Sequence, residues 1–247
     1  MFASDFSFLY LDLRFGTYAG RHSLMIAITF ISVLSYLIGS IPTAIIVAKC
    51  RRGIDIRQFG SGNAGGTNVF RVLGWKAGVF VILADLAKGL VATMLVSRLM
   101  YGPIPFENKT PFDDFTVVQI IAGCAAILGH VWTVFAGFRG GKGIATAGGM
   151  LLGIAPVEVA VSLSVFALVL LLSQYVSLGS LSAAVAFPLT MFFRENVFMA
   201  AVEGYNTLIF FSIGISLLII FNHRSNIKRL LRGTETKLST IPLLKKK

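Results

Sequence analysis

The stretch from Gly60 to Asn68 holds the residues best suited to chemistry, because it combines small side chains with hydrogen-bond donors. Four of its nine residues are glycine, and a backbone without Cβ atoms can turn its N–H groups towards an anion. Arg71 follows closely and adds a rigid positive fork that suits phosphate. We call Gly60–Asn68 the first glycine loop and predict that it binds phosphate. Its side-chain donors are Ser61, Asn63, Thr67 and Asn68.

The same letters spell G-x-G-x-x-G at Gly60, Gly62 and Gly65, and Asp85 lies twenty residues beyond the last of these glycines. This pattern marks a dinucleotide site only where it follows a strand and opens a helix within a βαβ unit. Here long apolar segments precede and follow the pattern, and the second of them carries Asp85. The surroundings therefore argue against a dinucleotide-binding fold.

A second glycine-rich stretch, Arg139–Gly143, lies a few residues after Gly129 and His130 and is called the second glycine loop. It resembles the phosphate loop of nucleotide hydrolases in its Gly-Gly-Lys. However, Gly143 follows Lys142 where a magnesium-binding Ser or Thr is required, and Ala136 stands where the first glycine belongs. The second glycine loop is therefore not predicted to be a nucleotide site.

The composition indicates a protein that crosses a membrane several times. Of its 247 residues, 55% are hydrophobic and 13% are charged, and the mean hydropathy is +0.80. The net charge of +11 would suggest nucleic acid in a soluble chain, but Lys and Arg of membrane proteins collect in cytoplasmic loops. The two cysteines suggest no disulfide framework, and the three histidines lack zinc-type spacing. We therefore expect the lipid bilayer as a partner, and neither nucleic acid nor a metal.

The apolar segments predict an all-α bundle of seven transmembrane helices. Clear spans cover residues 24–48, 77–97, 115–135 and 205–221. Between Gly143 and Phe193 the only charged residue is Glu158, so hydropathy alone does not count the crossings there. Turn-forming residues favour breaks near 153–156 and 173–177, which divide this region into three short spans. The shortest covers 144–155, where Gly149 and Gly153 form a G-x-x-x-G that permits close helix packing.

The basic residues predict the orientation. Lys49, Arg51, Arg52 and Arg57 follow the first span, and further basic clusters follow the third and the last. Such clusters lie in the cytoplasm, so the amino terminus is predicted outside and the carboxyl terminus inside. Both glycine loops then face the cytoplasm, together with two polar turns at Ser173–Ser177 and Asn222–Asn226. Small-residue loops, several amides and cations converge at one membrane face, which is typical of a site for phosphate-bearing molecules beside lipid.

Each feature also has a structural interpretation. Glycine turns can serve only as tight connections, and Lys142 and Arg71 can be ordinary cytoplasmic charges. A histidine at a helix end, such as His130, is more often hydrogen-bonded within the fold than catalytic. Asp85 and Lys88 are three residues apart inside the second span, and we expect them to neutralise each other or a neighbouring helix.

The chain is similar to the bacterial acyl-phosphate:glycerol-3-phosphate acyltransferases over residues 25–238, with the motifs in the family's order. The motifs are Gly39–Pro42, Asp55–Arg57, Gly60–Asn63, Thr67–Val69, Gly129–His130, Gly140–Gly143, Tyr175–Ser177, His223–Arg224 and Asn226–Leu231. The resemblance implies a seven-helix enzyme of the bacterial cell inner membrane with its site on the cytoplasmic face. Its expected substrates are acyl phosphate and glycerol 3-phosphate, and its products lysophosphatidic acid and phosphate, the first step of phospholipid synthesis. It divides the chain into an extension (1–23), the acyltransferase domain (24–238) and a basic tail (239–247), and Met25 is a candidate initiator.

The resemblance also implies roles for individual residues. Catalytic roles are expected for Ser61, Arg71, His130, Lys142, His223 and Asn226. Substrate binding is expected from Gly60, Gly62, Asn63, Thr67, Asn68, Gly140, Gly141 and Ser177. The chain departs from the family twice, since Ser225 replaces the usual Glu between Arg and Asn, and Gly66 replaces the usual Ala. The first departure puts in doubt any carboxylate role at the C-terminal motif.

An acyl phosphate is already activated, so no cofactor, metal or covalent nucleophile is expected. We favour direct attack by the glycerol 1-hydroxyl on the acyl carbonyl, with cations and amides orienting both phosphates. The proton acceptor stays open between His130, His223 and a substrate phosphate. Two rival functions are an anion transporter, which usually shows internal repeats, and a magnesium phosphotransferase, which would need paired carboxylates inside the membrane.

Overall fold

The helical architecture is described for residues 20–99, 108–235 and 237 of a computed structural model. These residues form ten α-helices and no strand. The predicted extension up to residue 19, most of the first outer loop and the tail 239–247 lie outside the described residues. The helices are α1 (Gly20–Gly39), α2 (Thr43–Arg52), α3 (Gly66–Leu73), α4 (Trp75–Met94), α5 (Asp114–Val131), α6 (Ile144–Ile154), α7 (Pro156–Ser173), α8 (Val176–Asn196), α9 (Tyr205–Asn222) and α10 (Arg224–Leu231).

Six segments of the described chain are long and apolar enough to cross a membrane. They are Leu24–Arg52, Trp75–Arg98, Asp114–Ala136, Pro156–Ser173, Val176–Asn196 and Tyr205–Asn222. The shorter apolar helix α6 lies between the third and the fourth of them. The breaks predicted near 153–156 and 173–177 are confirmed, because α7 begins at Pro156 and ends at Ser173. The all-helical membrane fold is thus confirmed.

The first predicted span differs from expectation, because it is broken rather than continuous. Helix α1 ends at Gly39 and α2 begins at Thr43. Pro42 explains the break, since proline has no N–H to donate into the helix and disfavours the helical conformation of the residue before it. The chain therefore passes from α1 to α2 through a short non-helical break before it reaches the first glycine loop.

Close helix approach holds the first half of the bundle together. A Cβ at Gly149 would overlap the Leu86 carbonyl of α4, and a Cβ at Gly153 would overlap the Thr93 hydroxyl. The predicted packing role of the G-x-x-x-G in α6 is therefore confirmed, with α4 as its partner. The resulting contact fixes α6 although it has only 11 residues.

A cluster of buried apolar side chains joins α5 and α6 to α8 and α9. Its core includes Phe187, Met191 and Leu208, with Ile120 and Leu151 packed against it. Ile120 lies near the start of α5, Met191 near the end of α8 and Leu208 near the start of α9. The opposite ends of these three helices carry His130, Ser177 and His223, so the packed cluster lies away from the candidate site residues.

Candidate functional site

The first glycine loop is shaped by Asn68, which is buried with 2% of its surface exposed. Its Oδ1 accepts from the Ser61 N–H at 2.9 Å. Its Nδ2 donates to the carbonyls of Ile56, Phe59 and Asn63 at 3.2, 2.9 and 3.0 Å. The structure thus gives Asn68 a different role from the substrate contact expected from the sequence, since its side chain is occupied within the loop.

Two glycines of the loop have a conformation that favours glycine. Gly60 has φ +61° and Gly62 has φ +71°, which lie in the left-handed region. A Cβ at Gly60 would also overlap the Asn68 side chain. These two glycines therefore shape the loop, and substitution of Gly60 would also disturb Asn68.

The loop ends in α3 rather than continuing as irregular chain, so Thr67, Asn68 and Arg71 are helical. Thr67 and Arg71 are four residues apart and both exposed, which puts them on one face of α3. Ser61 is exposed as well and Asn63 is half-buried. The N–H groups at the start of a helix favour an anion, so α3 presents backbone donors, hydroxyls and a guanidinium near one another.

Arg57 links the first glycine loop to the segment that leads into the second. Its guanidinium binds Asp55 at 2.8 Å (Nη2 to Oδ2) and donates from Nη1 to the Ala136 carbonyl at 2.8 Å. The hydrogen bonds from Arg57 lower the pKa of the Asp55 carboxyl. The Arg57 side chain therefore joins the segment before the first glycine loop to the segment before the second.

The second glycine loop folds back on the end of α5. The N–H of Gly140 donates to the Val131 carbonyl at 3.0 Å, and that of Gly141 donates to the His130 carbonyl at 3.1 Å. Gly141 lies against the His130 ring, because a Cβ there would overlap Nε2. The same Cβ position is 3.0 Å from the Ala64 carbonyl, so the two glycine loops adjoin each other.

His130 lies beneath the second glycine loop and is 8% exposed. Its Nδ1 is 3.6 Å from Asp85 Oδ1. This geometry supports the structural interpretation of His130 more than that of a base in open contact with substrate. Lys142, by contrast, has an exposed side chain.

A second group of the expected residues assembles around Glu235. Its Oε1 accepts from Ser177 Oγ and from Asn226 Nδ2, each at 2.9 Å, and its Oε2 accepts from Arg229 Nε at 2.7 Å. The hydrogen bonds from Asn226 and Arg229 lower the pKa of the Glu235 carboxyl. A carboxylate thus reaches this motif from further along the chain, although Ser225 supplies none.

Glu235 is the functional candidate that the sequence reasoning missed. The sequence could have drawn attention to Glu235, because it is the only acidic residue after Glu203 in a strongly basic C-terminal region. His223 lies next to this group, between α9 and α10, and its Nδ1 is 2.9 Å from the Ile219 carbonyl. A carbonyl only accepts, so Nδ1 carries the hydrogen of the neutral ring and Nε2 keeps its lone pair.

The predicted patches thus assemble pairwise. The two glycine loops adjoin each other, and the turns at Ser177 and Asn226 share Glu235. Among the described residues, no three His, Cys, Asp or Glu side chains are grouped so that they could hold a metal ion together.

Comparison with known proteins gives one consistent family. The glycerol-3-phosphate acyltransferase family matches residues 29–233. The glycerol-3-phosphate acyltransferase of Chlorobaculum tepidum is 48% identical over 234 residues, which cover 87% of this chain and 98% of that protein. That of Chlorobium chlorochromatii is 45% identical over 237 residues, with coverage of 87% and 98%.

Two crystal structures of PlsY (YgiH), an integral membrane glycerol 3-phosphate acyltransferase, are similar in fold. The glycerol 3-phosphate form has a TM-score of 0.60 and 35% identity, covering 89% of this chain and 99% of that chain. The lysophosphatidic acid form has a TM-score of 0.58 and 36% identity, covering 85% of this chain and 94% of that chain.

Proposed function

The chain belongs to the glycerol-3-phosphate acyltransferase family, and we propose that it transfers a fatty acyl group from acyl phosphate to the 1-hydroxyl of sn-glycerol 3-phosphate. The products are lysophosphatidic acid and inorganic phosphate, in the first step of phospholipid synthesis. The observation that carries this proposal is the contact between the two glycine loops. Both substrates bear a phosphate, so the reaction needs two adjacent anion sites, and these loops supply them.

The roles of the residues follow from their exposure and chemistry. The N–H groups and hydroxyls at the start of α3, together with Arg71, hold one phosphate, and Lys142 holds the other. Asn226 and Ser177 complete the pocket from the Glu235 side. The N–H groups at the start of α3 are held in place by the helix before the substrates bind, and such donors stabilise negative charge as it develops in the reaction.

The chemical step is a direct acyl transfer. The 1-hydroxyl oxygen of glycerol 3-phosphate attacks the acyl carbon, the bond from that carbon to the phosphate oxygen breaks, and inorganic phosphate leaves. The hydroxyl proton passes to a base. The geometry favours His223 over His130 for this role, since Nε2 of His223 keeps its lone pair while His130 lies beneath Gly141. A substrate phosphate oxygen is the remaining acceptor.

The donor is tested by offering purified protein glycerol 3-phosphate with either palmitoyl phosphate or palmitoyl-coenzyme A. We expect lysophosphatidic acid with the acyl phosphate and none with the thioester, because one of the two proposed phosphate sites binds the leaving phosphate. Product from the thioester alone would overturn the donor assignment while leaving the acyltransferase family intact.

We also propose seven crossings, with the site on the cytoplasmic face of the cell inner membrane. The broken pair α1–α2 counts as one crossing and α6 as the seventh. At about 1.5 Å per residue α6 spans only roughly 16 Å, but its contact with α4 holds it within the bundle.

The accessibility of Cys50, which is exposed at the basic end of α2, tests the orientation. In a Cys124→Ser variant, an impermeant maleimide should label Cys50 in inverted vesicles and not in intact spheroplasts; the reverse pattern would refute this topology.

A further inference from the structure

Asp85 and Lys88 form a buried ion pair in the middle of α4. Lys88 Nζ lies 2.6 Å from Asp85 Oδ1, and the two residues are 6% and 2% exposed. Burial of charge within a membrane helix is unfavourable, and such residues commonly serve a function. A helix such as α4 needs neither charge to cross a membrane, so the pair requires a reason beyond span formation.

Lys88 reaches beyond its own helix to the break in the first span. Its Nζ donates at 2.6 Å to the carbonyl of Ile41, which lies between α1 and α2 and outside the hydrogen-bond ladder of either helix. Two further bonds hold the same break. Thr133 Oγ1 donates to the Ser40 carbonyl, and Ser40 Oγ donates to the Gly129 carbonyl at 3.2 Å. The break is therefore anchored to both α4 and α5.

The same ion pair also lies near His130, which packs against the second glycine loop. Asp85 Oδ1 is 3.6 Å from Nδ1 of His130, whose ring lies beneath Gly141. Asp85 and Lys88 line one small cavity together with His130, Thr133, Ala64, Gly140 and Gly141. The chain runs from the break through α2 into the first glycine loop. The pair therefore contacts the break that leads to the first loop and lies near His130, which packs against the second loop.

We infer that Asp85 and Lys88 are positioning residues for the acyl transfer. Lys88 fixes the direction in which α2 leaves the break, and Asp85 fixes Lys88 and lies against His130. Together they set the separation of the two phosphate-binding loops without contacting substrate. This inference rests on the acyl transfer proposed above, and it assigns the pair a role beyond mutual neutralisation.

The test replaces both charges at once, because removal of either alone would leave an unpaired buried charge. The variant Asp85→Leu/Lys88→Met substitutes apolar side chains and removes the bond to Ile41. We expect it to fold and to raise KM for glycerol 3-phosphate by about tenfold or more, since small misplacements of binding groups are costly. The matched control is Glu158→Leu/Arg194→Met, which removes an ion pair between α7 and α8 whose members are 2.5 Å apart; Glu158 is buried and Arg194 is partly exposed. The control should leave KM unchanged even if its melting temperature moves.

A KM and kcat at wild-type level in the folded Asp85→Leu/Lys88→Met variant would overturn the inference. If that variant does not fold, Thr133→Val tests the inference instead. It removes a second hydrogen bond to the same break while keeping the shape and charge of the side chain. A several-fold higher KM for Thr133→Val supports the inference, and an unchanged KM overturns it. The wild type in the same assay separates the two proposals: absence of product there refutes the acyl transfer itself, whatever the variants do.

Discussion

The Asn226 amide donates to Glu235 Oε1 over 2.9 Å, and this bond ties the segment after α10 to one of the expected site residues. The same oxygen accepts from Ser177 Oγ, so one carboxylate orients side chains from α8 and α10. Ser177 and Asn226 were each expected at the site from sequence, and Glu235 is what brings them together.

The first prediction concerns the charge of Glu235. Glu235→Gln keeps the shape but weakens three hydrogen bonds to an ionised acceptor, each of which contributes about 1.5–3 kcal/mol. We expect kcat/KM for glycerol 3-phosphate to fall by about tenfold or more. Glu203→Gln, at an exposed acid just before α9, is the control and should retain wild-type turnover. Full activity of Glu235→Gln would show that the carboxylate is not needed to orient the pocket.

The second prediction is the pH dependence of stability. The pKa of Glu235 is lowered in the folded protein from its usual value of 4.5. Its contribution to stability is therefore present above pH 4.5 and is lost as the pH falls through the lowered pKa. Melting temperatures of wild type and Glu235→Gln should differ most above this window and converge below it. A constant difference across the acid range would contradict the assigned hydrogen bonds.

The third prediction concerns Asn68. Asn68→Asp removes the donor shared by three carbonyls and places a carboxylate among them, so the melting temperature should fall by several degrees. Asn63→Asp makes the same change at a side chain that forms no hydrogen bond within the described structure, and its melting temperature should hardly change. Equal effects of the two substitutions would refute the loop-shaping role of Asn68.

The fourth prediction separates phosphate-binding cations from ordinary cytoplasmic charges. Arg71→Ala and Lys142→Met should each raise KM for a substrate by about tenfold or more while expression stays near wild type. Ser61→Ala should likewise cut activity far more than expression. Lys76→Met is the matched control, because Lys76 is an exposed cation at the start of α4, beside α3. If Arg71→Ala and Ser61→Ala both keep full turnover, the first glycine loop is only a linker.

The fifth prediction concerns the proton acceptor. His223→Gln should lower kcat by about a hundredfold if Nε2 takes the hydroxyl proton, with KM little changed. His130→Gln should act mainly on KM, since His130 supports the second glycine loop. If neither substitution changes kcat, a substrate phosphate takes the proton and histidine base catalysis is wrong.

Much of the fold could be predicted from sequence, because apolar length and basic clusters report directly on membrane crossings. The span 24–48 was predicted to be continuous, whereas the structure breaks it at Pro42. The hydrogen bonds to this break come from Lys88 and Thr133, which are distant in the chain. The small-residue loops predict a phosphate site, and this stays a prediction. They did not distinguish Ser61, which is exposed, from Asn68, whose side chain folds inward, because both are polar residues in the same motif.

The position of Glu235 could not be predicted from the sequence. It lies nine residues from Asn226, beyond the end of α10, and only the turn after that helix brings it back to Ser177. Likewise, the helical spacing of Asp85 and Lys88 predicts a self-neutralising pair, and only the structure shows their contacts with Ile41, between α1 and α2, and with His130 on α5.

The most direct measurement is turnover by purified, EDTA-treated protein given palmitoyl phosphate and glycerol 3-phosphate. Lysophosphatidic acid and inorganic phosphate should form in equal amounts, and Arg71→Ala should suppress both. Absence of lysophosphatidic acid, or activity that returns only when magnesium is added, would contradict acyl transfer by the two glycine loops.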